Sequence, residues 1–108
     1  MSEKNTDTLK ITNQFRLRTS LVYDFRCDGS RLTVSITPRE RPDDAGEWRI
    51  EARASHAPEA LIVTEWGASR IEALRAVGRA WVSKAAEHGL PTFDWEAVVK
   101  ALQDVRAL

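Results

Sequence analysis

The apolar residues of this chain change rhythm once, between Trp66 and Ser69. Before that point they recur at every second position, and after it at every third or fourth. The first rhythm is that of a strand with one buried face, and the second that of a helix with one buried stripe. A chain carrying both in this order is expected to lay helices over a sheet around one shared interior. That is the α+β class, not the alternating α/β one.

An antiparallel sheet of about four strands is expected upstream of the change. From Phe15 to Cys27 the odd positions read Phe15, Leu17, Thr19, Leu21, Tyr23, Phe25 and Cys27, while Arg16, Arg18, Ser20, Val22, Asp24 and Arg26 alternate with them. The run exceeds a usual strand, so a bend or bulge is expected near Thr19–Ser20. Asp28-Gly29-Ser30 supplies turn chemistry. Leu32, Val34 and Ile36 mark the next strand, which Pro38 ends, and a charged loop follows to Gly46. Trp48, Ile50, Ala52 and Ala54 form the apolar face of a third strand, and Ala60–Trp66 reads as a fourth, more buried one.

Two amphipathic helices are expected next, packed on one face of the sheet. Ile71, Leu74, Gly78, Trp81 and Ala85 form the stripe of the first, opened by Ser69 and Glu72 as a capping box and closed by Gly89 and Pro91. Asp94 caps the second, whose stripe reads Trp95, Val98, Val99, Leu102 and Val105. Burying such a stripe is worth several kcal/mol at ~25 cal/mol per Å². A place is therefore expected for it on the first helix, on the sheet or on a second copy of the chain.

The 108 residues suit one domain, expected over 15–108, after a polar N-terminal tail at 1–14 that is expected to be flexible. Lys+Arg and Asp+Glu both number 16, so bulk charge draws the chain neither to nucleic acid nor to anionic lipid. Near-zero net charge gives little repulsion between copies. No run approaches the ~20 apolar residues of a membrane span. The single cysteine, Cys27, permits no internal disulfide, and a reducing cytoplasm is the expected compartment.

No catalytic, cofactor or metal residue is assigned. His56 and His88 stand in no metal-ligand spacing, and there is neither a Cys-x-x-Cys nor a His-Glu-x-x-His. Cys27 falls among apolar neighbours and reads as a small hydrophobe rather than a nucleophile. Asp43 and Asp44 read as a solvated hairpin connection. The five glycines form no phosphate loop.

Two constellations remain. Alternation places Arg16, Arg18, Arg26, Arg31, Arg49 and Arg53 on the outer sheet face, interleaved with Asp24, Glu47 and Glu51. Cross-strand ion pairs account for that pattern, and phosphate binding is the alternative. Of the four tryptophans, Trp48 and Trp81 fit the core; Trp66 and Trp95 are the interaction candidates, with Val99 and Leu102 of the last stripe.

The stretch Trp66-Gly67-Ala68-Ser69-Arg70-Ile71-Glu72-Ala73-Leu74 locally resembles the strand-to-helix junction of HicB-type antitoxins, whose partial double-stranded-RNA-binding fold packs three strands on a helix. The longer sheet and the second helix depart from that pattern. The resemblance implies shared supersecondary structure and transfers neither function nor site residues.

The expected function is that of a non-enzymatic interaction or regulatory domain, self-associating or a subunit of a larger assembly, with a protein partner and no membrane contact. A nucleic-acid-binding protein using the arginine-bearing face is the alternative. An enzyme assembled from distant residues such as Cys27, His56 and Tyr23 is the third reading.

Overall fold

The computed structural model describes residues 9–27, 30–56, 59–89 and 92–108. Five strands precede two helices: β1 (Lys10–Leu17), β2 (Ser20–Cys27), β3 (Ser30–Pro38), β4 (Trp48–His56), β5 (Glu59–Gly67), α1 (Arg70–His88) and α2 (Trp95–Asp104). The strands form one antiparallel meander in the order β1-β2-β3-β4-β5, the α+β arrangement. Five strands replace the expected four because the long alternating run is a hairpin. Leu17 pairs with Ser20 across Arg18 and Thr19, and Arg18 takes a left-handed φ of 58°. No Gly, Asn or Asp marks that turn, so its local signal is weak. Strand β1 also begins at Lys10, so residues 10–14 of the stretch read as tail pair with β2.

The hairpin inverts the parity of the alternation. On β2 the odd positions Tyr23 and Phe25 face the helices and are buried. On β1 the odd positions Phe15 and Leu17 pair with Val22 and Ser20 and share the opposite face. They are 44% and 61% exposed, against the expectation that they join the core. A register shift between Ile11 and Asn13 restores the parity, and Ile11 packs on the core.

A single apolar interior joins Tyr23, Phe25, Leu32, Val34, Ile36, Ile50, Ala52 and Val63 to the stripes of both helices. Helix α1 packs on β5 and β4, and α2 lies against α1. Ser69 Oγ accepts from the Glu72 N–H at 3.2 Å, and Gly89 closes the helix at φ 65°. Asp94 Oδ1 accepts from the Ala97 N–H at 3.2 Å to start α2. After Asp104 the chain turns back through Arg106, at φ 60°, and seats Ala107 in the core. Val105 is 43% exposed and so lies outside the stripe assigned to it.

The step from β5 to α1 is tight. A Cβ on Gly67 would lie 2.5 Å from the Ala73 backbone nitrogen and 2.9 Å from its Cα. Neither atom can move without displacing the first turn of α1. Gly67→Ala is therefore expected to cost about 3 kcal/mol, at the upper end for overpacking, read as a lower urea midpoint at unchanged slope.

Candidate interaction surfaces

The helices cover one face of the sheet and leave the other open. Register sets what the open face carries. One row reads Leu17, Ser20, Thr37, Arg49 and Trp66 from β1 to β5, and the next Phe15, Val22, Ser35, Glu51 and Thr64. A third reads Asn13, Asp24, Thr33, Arg53 and Ile62, and Lys10, Arg26 and Arg31 lie beyond it. Four of the six arginines assigned to this face are there. Arg16 pairs with Leu21 on the helix-bearing face, and Arg18 sits in the turn, both displaced by the parity change.

Asp24 is buried on the open face and held from two sides. Arg31 donates to its Oδ2 at 3.2 Å and Thr33 to its Oδ1 at 2.9 Å. The expected cross-strand ion pair exists here, though Arg31 keeps 61% of its side chain exposed. Ser20 and Thr37 share a hydrogen bond of 2.6 Å between their hydroxyls, which satisfies the buried Thr37. Arg49 lies 5.8 Å from the centre of the Trp66 ring, a cation–π contact at the β5 end of the face. Among the described residues neither Arg49 nor Arg53 is ion-paired.

The four sequence-chosen interaction residues do not form one patch. Leu102 is fully buried and Val99 nearly so, both inside the chain's own core. The last stripe is therefore covered within the chain, where α2 lies against α1, and its buried residues require no partner chain. Trp95 is half-buried, its ring 5.6 Å from Trp81, and Gly78 leaves the room it occupies. It borders an open groove of about 240 Å³ between α1 and α2, with Val82 and Arg79 on the rim. Trp66 is half-buried on the open sheet face, at the other side of α1.

The charged loop before β4 closes on itself. Asp44 Oδ2 accepts from the backbone N–H groups of Glu40 and Arg41, both at 3.0 Å, and these bonds hold its carboxyl below the ordinary value. Arg39 bonds Glu47 at 3.0 Å and the Asp44 carbonyl at 2.9 Å. This is a structural loop, and nothing in it separates the roles of two carboxylates. His88 is exposed at the end of α1 and Tyr23 is buried. The side chains of Cys27 and His56 lie outside the described residues. Among the described residues no group of three or more His, Cys, Asp or Glu is placed to hold a metal ion, and no helix is long and apolar enough to cross a membrane.

The residues that sequence reasoning missed are Phe15 and Leu17. The only signal for them was the excess length of the alternating run, which is consistent with a bent strand as well as with a hairpin. Comparison with known proteins finds no matching family model, no matching curated sequence and no matching solved structure.

Proposed function

We propose that this chain is a non-enzymatic interaction domain that associates with a second copy of itself through β1. The observation that carries the reading is an edge strand that has one strand neighbour among the described residues and bears two exposed large apolar side chains, Phe15 at 44% and Leu17 at 61%. Half of an edge strand's backbone N–H and C=O groups point away from its neighbour and accept another strand. A twofold antiparallel pairing centred on Phe15 sets Phe15 opposite its own copy, Gln14 opposite Arg16 and Asn13 opposite Leu17, each pair on one face. No like charges then face each other, and the interface is isologous, as closed dimers require. Zero net charge adds no long-range repulsion. The lone cysteine fits a reducing cytoplasm.

This moves the contact from the last helix, whose apolar face is used within the chain, to the opposite edge of the sheet. Sedimentation velocity over a concentration series is expected to show a dimer. Phe15→Glu combined with Leu17→Glu is expected to raise its dissociation constant about tenfold or more, a change of about 1.4 kcal/mol per decade. The thermal unfolding curve of the monomer should hardly move, because both side chains face solvent. A parent chain that is monomeric at every concentration would sink the proposal.

A further inference from the structure

We propose that the open sheet face binds single-stranded nucleic acid, with its arginines on the phosphates and Phe15 and Trp66 beneath the bases. Composition argued against this: the chain is neutral overall, and Phe15 was expected in the core. The register changes both points. Within the paired strands this face carries Lys10, Arg26, Arg31, Arg49 and Arg53 against Asp24 and Glu51. Asp24 is already ion-paired with Arg31 and hydrogen-bonded by Thr33, which leaves Glu51 as the acid of the face without such partners among the described residues. The cationic excess is therefore local and concentrated on the side that no helix covers.

The aromatic residues complete the arrangement. Single-strand platforms combine a cationic surface that follows the backbone with aromatic rings on which bases stack, without reading sequence. Phe15 lies on β1 and Trp66 on β5, four strand spacings apart, or ~19 Å at ~4.8 Å each. The arginines and the Ser35 hydroxyl lie between them, and Thr64 lies beside Trp66 on the same face of β5. Hydroxyls and guanidinium groups are the side chains that bond phosphate oxygens. The Arg49 guanidinium lies 5.8 Å from the centre of the Trp66 ring, so a base on that ring and a phosphate on the arginine can be held side by side there. An acidic protein surface would satisfy the cations but would leave the two separated rings without a function.

The inference goes beyond self-association and is tested apart from it. Fluorescein-labelled oligothymidylate and oligouridylate of about 16 nucleotides are titrated with the full chain while anisotropy is read at rising salt. Both are expected to bind at low salt, with log K falling linearly against log salt by ~0.7 per phosphate neutralised. A difference between the two strands assigns the contact to RNA or DNA through the 2′-hydroxyl. Arg31→Glu with Arg49→Glu is expected to weaken binding at least about tenfold and to flatten the salt slope. Its sedimentation should match that of the parent chain, because neither residue lies on β1. Trp66→Leu is expected to lose about tenfold at all salt concentrations. No anisotropy change at low salt overturns the proposal, and so does binding that the arginine substitutions leave intact. Binding that survives both Trp66→Leu and Phe15→Ala undiminished overturns the stacking role.

Discussion

Deleting residues 93–108 is expected to unfold this chain, not to separate two folded copies. Sequence reasoning left the α2 stripe free to lie on a partner, and in that case truncation would cost only association. The structure places Phe93, Val98, Val99, Leu102 and Ala107 in the chain's own interior, each at most 9% exposed. A buried Val, Leu or Phe is worth about 1.5–3 kcal/mol, so their joint loss is comparable with the ~5–15 kcal/mol that holds a domain together. The deletion also exposes Trp81, whose ring packs 5.7 Å from Phe93 and 5.6 Å from Trp95. The truncated chain should lose its cooperative thermal transition and become sensitive to protease. A sharp transition near that of the full chain would show that α2 is dispensable to the core.

Trp81→Ala is expected to be the most damaging single substitution, at about 3–5 kcal/mol for a large buried aromatic. Trp81 is the largest fully buried side chain and lies at the junction of α1, Phe93 and α2. Its Nε1 is buried without a hydrogen-bond partner among the described residues. An orphaned donor of this kind costs ~1–3 kcal/mol. Trp81→Phe removes that donor and keeps most of the ring contacts, so its loss should be well below that of the alanine variant. Urea unfolding of the two variants separates the terms. Equal losses would mean that a phenyl ring at this position recovers none of the packing, and would sink the expectation.

Both helices were legible because their signals are local. Ser69 and Glu72, Gly89 and Asp94 set helix ends through hydrogen bonds that span at most four residues, and the structure makes them where expected. β3 was legible for a related reason: Leu32, Val34 and Ile36 alternate strictly, and all three are buried. β1 was not legible. Its turn has no turn-specific residue, and Arg18 adopts a left-handed conformation that only the surrounding pairing can impose. One missed turn of two residues exchanged the faces of Phe15, Leu17 and Arg16, because strand side chains have a period of two. The two surfaces proposed for function depend on that exchange.

The order of elements, the helix caps and the apolar faces of β3, β4 and α1 follow from residues near one another in the chain, where spacing and capping chemistry suffice. Which side of the sheet Phe15 occupies, whether the α2 stripe is buried within one chain, and how a neutral protein gathers its cations on one face were decided by tertiary structure. Each depends on pairing between residues far apart in sequence. Charge balance and alternation count residues, whereas register decides which of them become neighbours.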